Sequence, residues 1–247
     1  MNSIWSEPRR RTTSLALYWR SEQPTDADLL ARVSLLDGGG PPAFTFDMEP
    51  ANGYPTSQWR PVDEWLGQTR LRLPAALPAG DYVLAVSVPG AGEGQQSLAT
   101  LSVRAPERRF EPLPFDAASG VAFGEVAVLE GYSLAPSAEN LTLALAWRAT
   151  GSPPVSYSVF VHLSDSTGRV WAQSDAVPAG WTRPTTGWVA GEYVLDEHAL
   201  PLPPDLLTGD YTLWVGLYDP LSGARVPASG PGAAADQRVA VGIVTLP

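Results

Sequence analysis

Leu15-Ala-Leu-Tyr-Trp19-Arg20 recurs 128 residues later as Leu143-Ala-Leu-Ala-Trp147-Arg148. Two further segments recur at a spacing of 129 residues: Tyr54-Pro-Thr-Ser-Gln-Trp59 with Arg183-Pro-Thr-Thr-Gly-Trp188, and Gly80-Asp-Tyr82-Val-Leu84 with Gly209-Asp-Tyr211-Thr-Leu213. Order and spacing are both kept, and the period is that of one domain rather than of a solenoid repeat. The sequence therefore predicts two tandem copies of one domain, residues 1–105 and 117–247, joined by a proline-rich linker at 106–116.

Apolar residues alternate with polar or small residues in short segments of both copies. The second copy alternates at 141–147, 157–163 and 211–217, and the first at 15–19, 31–35 and 82–88. A period of two is typical of half-buried strands, and further strands are expected near 122–133, 192–200, 237–245, 69–73 and 97–103. Short strands separated by proline and glycine turns favour an all-β fold of two immunoglobulin-like β-sandwiches, with jelly-roll sandwiches as the alternative.

Four aromatic residues sharpen this interpretation. Trp19 and Trp147 occupy inward positions of early strands, where a large side chain fills the space between two sheets. Tyr82 and Tyr211 follow Gly-Asp at the start of a long strand, which is the position of a tyrosine corner. The first copy has no counterpart of the strand expected at Ala122–Tyr132, so we expect its sandwich to lack or borrow a first strand, with Ile4 and Trp5 partly filling the gap.

Composition excludes several classes of protein. The 247 residues include 44% hydrophobic and 17% charged residues, which is not the composition of a disordered chain. A net charge of −10 argues against binding to nucleic-acid phosphates, and no apolar stretch is long enough for a membrane span. The basic start lacks the apolar segment of a secretory signal, so localisation is not given by the sequence. Without cysteine, disulfides and thiolate metal sites are excluded.

No catalytic motif is present. The chain has two histidines, His162 and His198, and its carboxylates show no spacing that selects an acid–base pair. The sequence therefore predicts no catalytic residue, no cofactor and no dedicated metal site. Calcium held by Asp165, Asp196 and Asp219 at one end of the second sandwich is a minor alternative, since no loop has the dense acidic spacing of a calcium site.

Aromatic residues of the second copy are the candidates for ligand or partner contact. The repeated Trp59 and Trp188 are either sugar-stacking platforms or caps on the ends of their sandwiches, and capping is favoured. Trp171 and Trp181 have no counterparts in the first copy and are the better contact candidates. If the strands at 157–163 and 211–217 are neighbours, their outward residues form one patch that the first copy lacks: Phe160, His162, Trp214 and Tyr218.

The second copy also resembles a known family. The stretches Tyr157-Ser-Val-Phe-Val-His-Leu-Ser-Asp165, Gln173-Ser-Asp175, Arg183 to Trp188, Gly191-Glu192, Asp196 and Gly209 to Asp219 carry the likeness. They resemble a β-sandwich domain at the C-termini of bacterial membrane glycosyltransferases of the dolichyl-phosphate-mannose mannosyltransferase type. The resemblance implies a non-enzymatic, extracytoplasmic appendage in the cell envelope with a carbohydrate partner. A purely structural protein–protein interaction scaffold is the alternative.

Overall fold

The computed structural model describes residues 12–38, 40–92, 94–137 and 139–246. The chain divides into two compact units, Met1–Pro106 and Glu107–Pro247. In the first unit the strands are β1 Thr12–Arg20, β2 Ala31–Leu36, β3 Phe44–Met48, β4 Glu64–Arg72, β5 Gly80–Ser87 and β6 Gln96–Val103. In the second they are β7 Ala117–Phe123, β8 Ala127–Pro136, β9 Asn140–Ala149, β10 Ser158–Ser164, β11 Val170–Ala176, β12 Tyr193–Pro201, β13 Gly209–Tyr218, β14 Ala228–Ser229 and β15 Val239–Leu246. The helical residues in the described ranges are two 3-10 turns, Thr56–Gln58 and Thr185–Gly187, so the all-β prediction is confirmed.

The second unit is an antiparallel sandwich. One sheet has the order β12-β9-β8-β7-β14 and the other β11-β10-β13-β15. Pairing of β9 with β12, of β10 with β13 and of β13 with β15 is the strand order of an immunoglobulin-like sandwich, which decides against the jelly roll. Inward residues of both sheets meet in one core, in which Leu143, Trp147, Val161 and Leu213 are fully buried.

The first unit repeats this order with fewer strands. Its sheets are β1-β4 and β3-β2-β5-β6. Val33, Leu35, Tyr82 and Leu84 are buried between them, and Trp19 packs against this core while only half-buried, so it is less enclosed than the sequence predicted. Ile4 and Trp5 lie outside the described residues.

Both predicted tyrosine corners are confirmed. The hydroxyl of Tyr82 donates to the carbonyl of Pro78 across 3.1 Å, and that of Tyr211 to the carbonyl of Leu207 across 2.6 Å. Each bond fixes the loop that precedes its strand. The same local geometry thus recurs where the sequence repeats.

Three local features differ from the sequence prediction. The single strand expected at 122–133 is two strands, β7 and β8, because the chain turns where the Val126 N–H donates to the Phe123 carbonyl. Strands β3 and β11 were not predicted. Residues 107–116, expected as a linker, belong to the second unit, where the backbone of Arg109 bridges to Tyr193. None of the described residues form a helix long and apolar enough to span a bilayer.

Candidate functional site

The repeated Pro-Thr-x-x-Trp motif caps each sandwich. Trp188 is fully buried, and its indole N–H donates to the carbonyl of Arg183 across 2.9 Å. Trp59 is 8% exposed and donates in the same way to Tyr54 across 3.2 Å. Because burial removes the indole faces from solvent, neither tryptophan is a sugar platform, and the capping interpretation is confirmed.

The threonine of the motif ties the cap to a neighbouring loop. The hydroxyl of Thr185 donates to the carbonyl of Val155 and accepts the N–H of Tyr157, both across 2.9 Å. Thr56 makes the equivalent bonds in the first unit, to the Ala27 carbonyl across 2.8 Å and from the Leu29 N–H across 2.7 Å. One hydroxyl therefore satisfies two backbone groups in each copy.

Phe160, His162, Trp214 and Tyr218 lie together on the outer face of the second unit, here called the aromatic face. Strands β10 and β13 pair antiparallel with His162 opposite Trp214 and Phe160 opposite Gly216. The ring centroid of Phe160 lies 4.9 Å from that of His162 and 6.2 Å from that of Tyr218. The Phe160 ring fills the space where a side chain at Gly216 would lie, and Phe160 is therefore buried.

Arginine side chains cover much of the aromatic face. The guanidinium of Arg225 stacks 4.9 Å from the Phe160 ring and that of Arg238 lies 4.1 Å from the Trp214 ring. Both arginines pair with Asp236, at 3.1 Å and 2.8 Å. All 16 basic residues of the chain are arginine, whose planar guanidinium suits such stacking. The rings of Phe160 and Trp214 thus already have partners within the chain.

His162 is the histidine of the aromatic face. Burial lowers the pKa of His162, and the positive charges of Arg225 and Arg238 lower it further against the opposing effect of Asp175. Its imidazole is therefore held in the neutral form, which has one donor and one acceptor. The face offers mixed aromatic and hydrogen-bonding groups, although only Trp214, Tyr218 and His162 are partly accessible.

Trp171 is held in place by its own loop. Its indole N–H donates to Asp165 Oδ2 across 2.8 Å, the Arg169 guanidinium lies 3.8 Å from its ring, and its ring meets Tyr211 edge-on at 6.4 Å. Hydrogen bonds from Thr167 and Trp171 lower the pKa of Asp165 to about 2. Of the two tryptophans without a counterpart, Trp171 is thus a structural element of the sandwich edge.

The aspartates considered as calcium ligands are not brought together. Asp165 accepts bonds from its own turn, and Asp219 accepts the Leu221 N–H and the Ser222 hydroxyl. Asp196 is buried on β12. No group of three or more His, Cys, Asp or Glu side chains suited to a metal occurs in the part of the chain that the structure describes.

Trp181 is the most exposed aromatic residue among the described residues of the second unit. Its side chain is 61% exposed, on a loop where Ala179 has φ +52° and Trp181 has φ +71°. A left-handed backbone is costly for a bulky residue and persists only where surrounding contacts hold it. The Trp181 N–H donates to the Val177 carbonyl, and the Ala179 N–H donates to Asp196 Oδ1 across 2.7 Å. A buried carboxylate therefore anchors a strained loop that presents an indole to solvent.

A shallow cleft of about 650 Å³ adjoins this loop. Ala179, Thr182 and Arg183, on either side of Trp181 in sequence, contribute to its lining. The other lining residues are Glu107, Arg108, Arg109, Glu111, Leu113, Tyr193, Val194 and Leu195. Below them, the fully buried Glu192 pairs with both Arg108 and Arg183. Two guanidinium groups share one carboxylate, which fixes them in position at the cleft. We call this cleft, together with the Trp181 loop that adjoins it, the Trp181 cleft.

A hydrogen-bond network near the loop was not predicted from the sequence. The hydroxyl of Ser174 lies 2.9 Å from His198 Nδ1, and His198 Nε2 lies 3.0 Å from Asp196 Oδ2. Asp196 also accepts the indole N–H of Trp147 across 3.3 Å. Ser174 is on β11 and His198 on β12, so the network joins edge strands of the two sheets. The available signal was that Asp196 and His198 occupy inward positions of an alternating strand.

The order Ser–His–Asp is that of a hydrolytic triad, although its setting is structural. His198 is 2% exposed, and Ser174 pairs in register with the core residue Val161. Neither Ser174 nor His198 lines the Trp181 cleft. A nucleophile requires room for an acyl group and donors for its oxyanion, whereas this network satisfies polar groups within a sandwich edge.

Comparisons with known proteins add little to this geometry. No family model matches the chain, and no curated protein matches it. Among solved structures, it is similar to DUF3823 family proteins from Bacteroides ovatus (11% identity, TM-score 0.29, 95% of this chain and 100% of that one) and Parabacteroides merdae (12%, 0.28, 95% and 98%). A β-glucuronidase from Ruminococcus gnavus matches at 8% identity and a TM-score of 0.22, over 88% of this chain and 34% of the enzyme. Likenesses of this size carry no argument about function.

Proposed function

We propose that this chain is a non-enzymatic β-sandwich module that contacts carbohydrate through the Trp181 cleft. The observation that carries the proposal is Trp181, which is 61% exposed and held with φ +71° on a loop anchored to a buried aspartate. An exposed indole in a strained conformation has no role in the core. Strain of this kind clusters at ligand sites, where it fixes a side chain before binding.

The chemistry of the cleft suits a sugar. An indole face offers apolar area to the C–H groups of a pyranose ring, and hydroxyl and guanidinium groups hydrogen-bond its hydroxyls. Thr182, Arg183 and Tyr193 place such groups in the cleft that adjoins the Trp181 loop. Because Glu192 holds Arg108 and Arg183 in position, little side-chain freedom is lost when a ligand binds.

The family resemblance supports a setting for this activity. The segments that resemble the C-terminal domain of bacterial membrane glycosyltransferases lie between residues 157 and 219, on both sides of Trp181 but without including it. In that setting the module is an extracytoplasmic appendage that holds a glycan near a lipid-linked sugar transferase of the cell envelope. Mass spectrometry of proteins cross-linked to the chain in its native cells tests this setting, since a membrane glycosyltransferase among the products is expected.

Glycan binding tests the contact itself. We expect the purified chain to bind members of a polysaccharide and oligosaccharide panel, and Trp181→Ala to weaken that binding by about tenfold or more, as loss of a stacked aromatic does. Tyr18→Ala is the matched control, because Tyr18 is an 83% exposed aromatic in the first unit. Binding that is equal in the Trp181→Ala and Tyr18→Ala variants would remove the cleft from consideration.

The aromatic face supports the alternative of a protein–protein scaffold. Trp214, Tyr218, Arg225 and Arg238 are residue types enriched at protein interfaces. In that case the chain binds no member of the glycan panel, and Trp214→Ala weakens association with its partner at an unchanged melting temperature. The two functions thus predict opposite results for the Trp181 and Trp214 variants.

The non-enzymatic part of the proposal rests on the setting of Ser174. A fluorophosphonate reacts with serines that an adjacent histidine activates and that a substrate can reach. We expect no labelling of the wild-type chain beyond that of Ser174→Ala. Labelling that is lost in Ser174→Ala would instead reveal a hydrolytic nucleophile.

A further inference from the structure

Strand β1 and its counterpart β9 in the second unit have different numbers of neighbouring strands. In the second unit β9 pairs with β12 on one side and with β8 on the other. Its counterpart β1 pairs with β4 alone within the described residues. The other side of β1 therefore presents backbone N–H and C=O groups of the kind that pair with an added strand.

The core beneath this edge is less covered than in the second unit. Leu143, Leu145 and Trp147 are fully buried, whereas their counterparts Leu15, Leu17 and Trp19 are half-buried. The difference corresponds to β8, which lies beside β9 in the second unit, and to β7, which lies beside β8. Phe123 of β7 meets the Trp147 ring edge-on at 5.4 Å, and Leu129 of β8 lies opposite Trp147 in register.

The charged residue at the end of β1 also indicates that a counterpart of β8 is missing from this edge. Arg148, at the end of β9, pairs with Glu130 of β8 across 2.5 Å. Arg20 occupies the equivalent position on β1 and has no ion pair within 4.0 Å among the described residues. On β4, Glu64 lies opposite Arg20 in register and is the one acidic residue of these two strands, whereas Arg70 and Arg72 lie opposite Ser14 and Thr12 at the other end of β1. A strand with a carboxylate facing Arg20 is complementary to this edge.

We propose that the free edge of β1 binds an extended strand of a partner polypeptide. The partner strand lies antiparallel to β1, places apolar residues against Leu15, Leu17 and Trp19, and places a carboxylate against Arg20. This surface lies in the first unit and is separate from the proposed carbohydrate contact in the second. The second unit supplies the template, because β8 meets all of these requirements at the equivalent position.

A peptide with the sequence of residues 127–136 is the probe. We expect the fluorescein-labelled peptide to bind the whole chain saturably and to slow hydrogen exchange of the backbone amides in residues 13–20. Arg20→Glu is expected to weaken binding by about tenfold through charge repulsion. Arg70→Glu, the same charge change on the neighbouring strand β4, is the control and is expected to change the affinity by less than about twofold.

Charge reversal in the peptide completes the test. A peptide with arginine in place of its glutamate is expected to bind the Arg20→Glu variant more tightly than the wild-type chain. Absence of peptide binding up to about 1 mM overturns the proposal, and so does binding that Arg20→Glu leaves unchanged.

Slow exchange, in the chain without peptide, of those β1 amides that do not hydrogen-bond β4 also overturns it, because the edge is then already paired. Sedimentation analysis and a variant lacking residues 2–11 would then identify the occupant as a second copy or as the start of the same chain.

Discussion

The indole nitrogen Nε1 of Trp147 donates a hydrogen bond to Oδ2 of Asp196 across 3.3 Å. Strand register places Leu145 opposite Asp196 in the second unit and the equivalent Leu17 opposite Gly67 in the first. Gly67 brings no acceptor, and Nε1 of Trp19 is buried without a hydrogen-bond partner among the described residues. Two tryptophans at equivalent positions therefore stabilise their sandwiches to different extents.

Truncation of the two tryptophans measures this difference. Trp147→Ala is expected to lower the free energy of unfolding of the second unit by about 3–5 kcal/mol, because it leaves a cavity in a closed core. Trp19→Ala is expected to cost the first unit about 1–3 kcal/mol, since its side chain is half-buried and its N–H is unpaired. Urea unfolding followed by circular dichroism checks both values. Equal losses would show that the two cores are closed to the same extent.

Thr185 provides a test of the cap. Thr185→Val keeps the shape of the side chain but leaves the Val155 carbonyl and the Tyr157 N–H without their hydroxyl partner. We expect a loss of about 1–3 kcal/mol in the free energy of unfolding. Thr185→Ser restores the hydroxyl and is expected to recover most of it. Calorimetry of the two variants measures these changes in the free energy of unfolding. A valine variant as stable as the wild-type chain would contradict the bridging role of the Thr185 hydroxyl.

Trp181 is expected to reduce stability through its backbone conformation. Glycine adopts φ +71° without strain, so Trp181→Gly should raise the free energy of unfolding by about 1 kcal/mol relative to Trp181→Ala, which keeps the strained backbone. Both variants lose the proposed sugar contact. Thermal unfolding compares them, and a glycine variant less stable than the alanine variant would show that the loop is not strained.

His162 is expected to titrate below the ordinary histidine value of about 6.5, because burial lowers its pKa. The unfolded chain then binds the proton more readily than the folded one. The stability that the neutral imidazole provides is therefore present above pH 6.5 or so and is lost as the pH falls toward the lower folded pKa. NMR titration of the two histidines measures the midpoint, and His162→Gln assigns its signal. A midpoint at or above the ordinary value would contradict the burial of the ring.

Much of the fold could be predicted from the sequence because the alternation of apolar and polar residues in a strand is a local signal. Strands such as β9 and β13 alternate cleanly, and the repeated Gly-Asp-Tyr placed both tyrosine corners. The turn between β7 and β8 was missed because apolar residues continue across it, at Phe123 and Val126. Strand β11 was missed because Gln173, Ser174 and Asp175 give its sequence too little apolar alternation.

Contacts at the candidate sites were harder to predict from the sequence because they join distant segments. Pairing of β10 with β13 was inferable, so Phe160, His162, Trp214 and Tyr218 share a face as predicted. The stacking of Arg225 and Arg238 on the rings of Phe160 and Trp214 depends on the path of the connection from β13 to β15. The sequence of that connection has no periodic pattern from which its path could be predicted. The Ser174–His198 bond joins strands of different sheets, and the register within either sheet does not reveal it.

Gly67 has a consequence for the folding of a duplicated chain. Two copies with equivalent strands risk exchanging them as they fold, and such mispairing is a known failure of tandem domains. The carbonyl oxygen of Pro50 occupies the space that any side chain at position 67 would need. In the second copy that position is Asp196, so strand β12 cannot replace β4 beside β1 without a steric clash. The absence of a side chain at position 67 thus disfavours the pairing of β1 with β12 of the second copy.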